Sequence, residues 1–455
     1  MDEMNLILIT IDCLRADHLS CLGYSKRTTP NLDYLASNGA LFTQAISVSD
    51  WTPQSFVAIL TSTYPQMYRG ELHITNRRTT IAQVLKDHGY HTAAFHSNPF
   101  LSSYHGYHKG FDTFDDSIPK NHRKSTLSKA KELAKSIMGT SSKLYKVLIQ
   151  IHAATMAANP SAKAQVLNKK AISWLHDNPN NFFLWIHYMD VHGPYYPQGI
   201  ISPFERYRLW KLNHQKAHTP EEINELIHLY DAEVSYVDEM IGSFWHILKR
   251  NNVLDNTFVI VTADHGEEFM EHGHYGHGSY LYDELIHVPL IIVGPGLEGQ
   301  VISQQVSLLD LAPTILDILK IEKPKAFLGN SLFPLINGNR ATTGNSEAIS
   351  ETQSELDVTT RRGMRPQLQL DAERRMISIR TSKWKYIYTK GKQDQLYDLE
   401  DDQNETKNVI DIKSEIAAEL RAKIMAHIEF KDKSIPNEEA VIKERVRQLR
   451  GSGKI

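Results

Sequence analysis

The stretch VIVTADHGEEFMEHGHYGHGS, residues 259–279, decides the fold class: it joins an apolar β-strand run to a carboxylate, an imidazole and a glycine-rich loop. The apolar run from Phe258 to Val261 suits a buried strand, and Asp264 and His265 follow at its mouth. A second copy opens the chain, where LILITIDCLRADHL runs apolar from Leu6 to Ile11 and then presents Asp12. An aspartate after one strand is ordinarily a turn residue or a helix cap. Two such ends, one carrying an Asp-His pair, offer hard oxygen and nitrogen donors to a single cation. A catalytic cation also keeps one position open to substrate.

Outward from these ends, apolar runs alternate with amphipathic stretches: LILIT then TPNLDYLASNG, TIAQVLKDHGY then HTAAF, KKAISWLHDN then FFLWIHYM. The alternation predicts an α/β fold with a large, mostly parallel sheet sandwiched by helices. Its function belongs at the C-terminal strand ends, where Asp12, His192, Asp264 and His265 fall. Residues 1–340 read as this domain, with a basic, Ser- and Lys-rich insertion at 120–170 expected to form a helical cap. EAISET, RRMISIRTSKWKYIYTK and QLYDLEDDQNE then read as short antiparallel strands, followed by a helix over about 414–430. Together they give a C-terminal α+β subdomain at 341–432, and 433–455 is a polar tail.

At 455 residues and 41% hydrophobic, the chain is rich enough in core formers to exclude wholesale disorder. A net charge of -3 gives no bulk attraction for nucleic acid or for an anionic membrane. Two cysteines, Cys13 and Cys21, make no disulfide framework. No signal-peptide pattern opens the sequence, and no apolar run reaches about 18 residues. The expectation is a soluble cytoplasmic protein with no transmembrane segment and no nucleic-acid partner; oligomeric state leaves no signature.

The segment SDWTPQSFVAILTSTYP sets Thr52 as the expected N-cap of a helix and Pro53 as its first residue. A hydroxyl there lies beside backbone amides in positive potential, where an anion binds and a developing alkoxide is stabilised. Contact with the cation would turn Thr52 into a nucleophile. Ser49 and Ser55 are weaker candidates, Ser55 because it falls inside the first turn. His192 sits in a Gly-Pro turn, and His272, His274 and His277 sit in a glycine-rich loop. The α/β winding is expected to bring His192 and His277 to one rim.

Taken in order, ITIDCLRADHLSCLGY, WTPQSFVAILTSTYP, GYHTAAF, FFLWIHYMDVHGPY, VTADHGEEF with GHG, and HVPLIIVGPG resemble the sulfatase family of the alkaline phosphatase superfamily. KWKYIY and QLYDLEDDQNETKN resemble its closing subdomain, so the likeness covers nearly the whole chain. The resemblance implies an alkaline phosphatase-like fold and in-line attack on an anionic ester, giving a covalent sulfated or phosphorylated enzyme that is then hydrolysed. It implies that Asp12, Asp264 and His265, with Thr52, hold metal, that Thr52 is the nucleophile, and that His192 and His277 contact the anion or protonate the leaving group.

The chain departs from the family pattern in three places. Thr52-Pro53-Gln54-Ser55-Phe56 stands where a C/S-x-P-S-R signature is usual, so no formylglycine is expected. Cys13 replaces the second of two aspartates and is expected to be a small buried residue facing away. HSNPFL replaces GKWHLG; Asn98, with Ser55, is the expected polar contact to substrate, while His96, Asn98 and Pro99 equally suit an ordinary turn. Arg361, Arg362 and Arg365, in the loop before the last strands, either reach substrate or, as is commoner for such residues, are simply solvated. The donor set suits one divalent cation: manganese, zinc or calcium.

The leading expectation is therefore a metal-dependent hydrolase of sulfate or phosphate esters, small or glycan-borne, working through Thr52. Alternatives are a phospho- or sulfo-group transferase, a phosphodiester or phosphonate hydrolase, and a catalytically reduced anion-binding protein. Threonine at this position also resembles the phosphoethanolamine and glycerolphosphate transferases and the phosphonate monoester hydrolases of the superfamily.

Overall fold

Strands buried on both faces form the centre of the molecule, as continuous apolar runs require. In the computed structural model every residue of β1 (Asn5–Ile11), β5 (Phe182–Tyr188) and β6 (Thr257–Ala263) is buried. The structure describes residues 4–68, 73–117, 162–178, 180–196, 202–215, 217–338, 347–353 and 375–433. Most of the insertion expected at 120–170, the arginines Arg361, Arg362 and Arg365, and 434–455 lie outside the described residues.

Among the described residues, β1, β5 and β6 belong to a nine-stranded sheet with β2 (Ala40–Ile46), β3 (His91–Phe95), β4 (Thr113–Asp115), β9 (His287–Val293), β10 (Gln300–Ile302) and β11 (Val306–Ser307). The order is β10-β2-β9-β6-β1-β5-β3-β4, with β11 also on β2. Only β9 runs against its neighbours β2 and β6; the remaining pairings are parallel, so the sheet is mixed but mostly parallel. A short hairpin, β7 (Glu268–Phe269) with β8 (Tyr275–Gly276), follows β6.

Register aligns the functional edge. Ile11 of β1 pairs with Ala263 of β6 and with Tyr188 of β5, so Asp12 and Asp264 leave the sheet side by side. The longest helix, Pro220–Arg250, begins with a Thr219–Glu222 capping box, carries Glu221 and Glu222 in its first turn and ends on Lys249 and Arg250. Those charges oppose the helix dipole at both ends. Its buried Tyr230 hydroxyl donates to Cys13 O (2.8 Å) and accepts from Arg15 N (2.9 Å), clamping the turn after β1.

Near the C-terminus, β12 (Ala348–Gln353), β13 (Arg375–Arg380), β14 (Trp384–Thr389) and β15 (Gln395–Asp398) form an antiparallel sheet. The helix Ser414–Lys433 covers it, burying Ala417, Leu420 and Ile424 against Ile377, Ile379, Tyr386 and Leu396. This small layer is seamed to the large one. Ser350 Oγ donates to Ser47 O (2.6 Å), Glu351 N to Val48 O (2.7 Å) and Gln66 N to Glu351 Oε2 (2.9 Å). Glu351 is itself buried and paired with His427 (2.7 Å) and Lys431.

Candidate active site

Four chain segments converge at the sheet edge. Thr52 begins the helix Thr52–Thr61; Trp51 is the N-cap, in extended conformation, so Thr52 stands one position further in than expected. The cause is backbone pairing: Ser55 N donates to Trp51 O (3.0 Å), which makes Trp51 the residue that closes the first turn. Thr52 Oγ1 lies 3.2 Å from His265 Nε2, which in turn is 3.5 Å from Asp264 Oδ2 and 3.7 Å from Asp12 Oδ1. All four residues are buried. His265 Nδ1 faces Gly266 O at 2.8 Å, fixing the ring so that Nε2 serves the site. Gly266 permits this turn, because a Cβ there would stand 1.9 Å from Glu284 O.

Electrostatics mark the cluster as built for positive charge. Burial and then the neighbouring Asp12 carboxylate push Asp264 well up, and its Oδ2 has no hydrogen-bond partner. Burial also works to raise Asp12, but His192, His187 and His265 together outweigh it and hold that carboxyl far below the ordinary range. Burial, and next His277, lower His265 to about 4, leaving a neutral ring with a lone pair for a metal. Two buried carboxylates, one orphaned oxygen, a neutral imidazole and a hydroxyl fit a divalent cation. Asp12, Asp264, His265 and Thr52 would hold it.

Glu267 and His277 form an ion pair beside this cluster. His277 Nδ1 lies 2.7 Å from Glu267 Oε1, and Tyr195 OH donates to Glu267 Oε2 at 2.6 Å. Burial opposes charge on both. The mutual attraction overcomes it, lowering Glu267 to about 2 and raising His277 to about 9. The His192 ring stands edge-on to His277, with centroids 5.1 Å apart, and its Nδ1 is tied to Gly193 O. A cavity of about 320 Å³, lined in part by Gly193, Pro194, Asn213, His214, Tyr275 and His277, opens next to this pair.

The other polar residues singled out in the sequence brace the cluster or lie beside it. Asn98 is at the site, but its Nδ2 donates to Asp12 Oδ2 (3.0 Å), which makes it a brace for Asp12 first. Ser55 Oγ donates to Ser49 O (3.0 Å) and sits 3.2 Å from Ser47 Oγ, so it ties down the loop before Thr52. His272 and His274 are drawn off to Tyr282 and Tyr280, on which they stack at 3.6 and 4.0 Å, and His272 also meets Glu284 at 2.6 Å.

Cys13 does not face away. Its backbone is left-handed (φ 60°), held so by the Tyr230 clamp, and the side chain swings inward: Sγ is 3.2 Å from Asp12 Oδ1 and 3.6 Å from His277 Nδ1. Sequence reasoning also missed His187, whose Nε2 is 3.2 Å from Asp12 Oδ2 and whose Nδ1 is 3.0 Å from Thr10 Oγ1. A lone histidine inside FFLWIHY, two residues before the strand-end turn, was the available signal.

At this edge of the sheet the acidic strand ends face a hydroxyl at a helix start. The chain belongs to the sulfatase family, whose model matches residues 4–321. Among curated relatives, Arylsulfatase K of Rattus norvegicus is 32% identical over 234 residues, covering 50% of this chain and 40% of that protein. The Homo sapiens Arylsulfatase K is 32% identical over 238 residues, 51% of this chain and 42% of that protein. The chain thus spans less than half the length of the curated relatives it matches. A phosphonate monoester hydrolase of Agrobacterium radiobacter superposes with TM-score 0.71 at 21% identity, over 95% of this chain and 96% of that one, a likeness of fold. No helix among the described residues is long and apolar enough to cross a membrane.

Proposed function

We propose that this chain is a metal-dependent hydrolase of sulfate or phosphate esters in which Thr52 is the nucleophile. One observation carries the reading: Thr52 Oγ1, at a helix start, lies 3.2 Å from the imidazole that also meets both strand-end carboxylates. When bound, the divalent cation would supply Lewis acidity, easing loss of the Thr52 proton to solvent and offsetting charge on the ester oxygens. Thr52 Oγ1 attacks in line, with the first-turn amides beside it adding positive potential. The transferred group stays on Thr52 until water displaces it. His277, protonated against Glu267, keeps its Nε2 proton for the departing oxygen, and His192 shares that rim. Relatives' names and the family support ester hydrolysis; the covalent step and the cation are this reading's own additions.

The test is turnover of matched aryl sulfate, phosphate monoester, phosphodiester and phosphonate substrates by protein loaded with manganese, zinc or calcium. At least one metal–ester pair turns over; silence across the whole grid, with anion binding intact, replaces the reading with that of a non-hydrolysing anion binder. Added alcohols leave the product as free sulfate or phosphate, whereas capture of the group by the alcohol makes the protein a transferase.

The Glu267–His277 pair predicts how rate depends on pH. His277 is raised above its ordinary value of 6.5, so it is charged below that and loses its proton as pH rises toward about 9. The rate therefore falls on the alkaline side, with the limb below pH 9 because a bound cation disfavours a charged His277. Glu267→Gln moves the limb to lower pH and slows esters of poor leaving groups roughly 10²-fold, sparing activated aryl esters. An unmoved limb would take His277 out of the acid role.

A further inference from the structure

We propose that Cys13 is a thiolate ligand of the catalytic cation, so that the site takes a thiophilic ion of the zinc class in preference to calcium or magnesium; this rests on the metal-dependent reading above. Cys13 Sγ and Asp12 Oδ1 are 3.2 Å apart, while a tetrahedral zinc holds a thiolate and a carboxylate oxygen roughly 3.5 Å apart. A shift of a few tenths of an ångström lets one ion reach both. The same Asp12 oxygen is 3.7 Å from His265 Nε2, which is 3.5 Å from Asp264 Oδ2. One chain of donors thus runs from sulfur to the far carboxylate.

The sulfur is central to the donors around it. Cys13 groups within 4.8 Å with His265 and His277, and again with Asp12 and His192. It is fully buried, and its left-handed backbone is pinned by Tyr230, a residue on another element whose hydroxyl donates to Cys13 O at 2.8 Å. A small apolar filler needs no such conformation. Thiolate and imidazole donors select zinc-class ions, whereas an all-oxygen shell suits calcium, magnesium or manganese. On binding, the S–H bond breaks, a sulfur–metal bond forms, and the proton leaves to solvent.

Cobalt(II) is the probe, because a cysteine sulfur bound to it gives an intense near-ultraviolet charge-transfer band that oxygen and nitrogen donors do not. The metal-free protein titrated with cobalt shows this band, and it persists in Cys21→Ser, which removes the chain's other cysteine. Cys13→Ser abolishes the band and weakens zinc binding on the order of 10²-fold, with calcium and manganese binding changed less than threefold. Cobalt bound with visible d–d bands but no sulfur band in the wild-type protein overturns the proposal, whether or not Cys13→Ser folds. So does a band that survives Cys13→Ser. No cobalt or zinc uptake at all brings down the metal-dependent reading itself, a different failure from loss of the sulfur band. Binding is read without turnover, so a sulfur band in a protein that hydrolyses nothing still supports Cys13 as ligand.

Discussion

Thr52→Ala leaves the protein folded and able to take up its cation, while kcat for the best ester falls on the order of 10⁴-fold or more, the scale set by removing a covalent nucleophile. The substitution removes one hydroxyl and one methyl from a buried helix start. Backbone geometry is kept, because the first turn closes through Ser55 N on Trp51 O and not through the Thr52 side chain. Elemental analysis reads the cation and steady-state kinetics reads the rate. Thr52→Ser, which keeps the oxygen, retains turnover within about tenfold if the oxygen alone attacks. A rate for Thr52→Ala within tenfold of wild type removes Thr52 from the mechanism.

Asp264→Asn acts in two opposite directions. It weakens cation binding by more than the ~10–100-fold that losing even an outer partner of a metal ligand costs, and hydrolysis goes with it. The metal-free protein, however, becomes more stable. Burial and Asp12 raise the Asp264 carboxyl in the folded state. A carboxyl so raised destabilises the fold increasingly as pH climbs from its ordinary value near 3.8 toward the raised one. An amide carries no such penalty, so the metal-free Tm of the variant exceeds that of wild type at pH 8 and converges with it near pH 4. Equal stabilities at pH 8 would show that neither burial nor Asp12 raises the Asp264 carboxyl.

The strand ends were legible in the sequence because an apolar run that stops at Asp or Asp-His has few physical meanings, and β1 and β6 lie in register at those stops. The helix start at Thr52 was legible too, since proline and hydroxyls before an apolar helical run mark one; the one-position offset of Thr52 came from a backbone bond that side-chain preferences do not encode. Cys13 was not legible. Its inward turn depends on Tyr230, more than two hundred residues away, and a positive φ at a non-glycine residue leaves no trace in composition. His187 was hidden by its setting, since a histidine within an aromatic strand reads as core. His272 and His274 shared a loop with His277, and only the stacking partners Tyr280 and Tyr282 separate their fates.

The bonds from Ser350 and Glu351 to Ser47 and Val48 make the small antiparallel sheet the floor on which the loop before Thr52 rests. Ser47 also donates to Asp264 O, so this floor touches the end of β6 and lies just upstream of Thr52. Removing this sheet would strip hydrogen-bond donors and acceptors from beneath the start of the Thr52 helix and the Asp264 strand end. On the proposed reading, substitutions in this small sheet alter how firmly the Thr52 oxygen is aimed without touching Thr52, Asp12, Asp264 or His265.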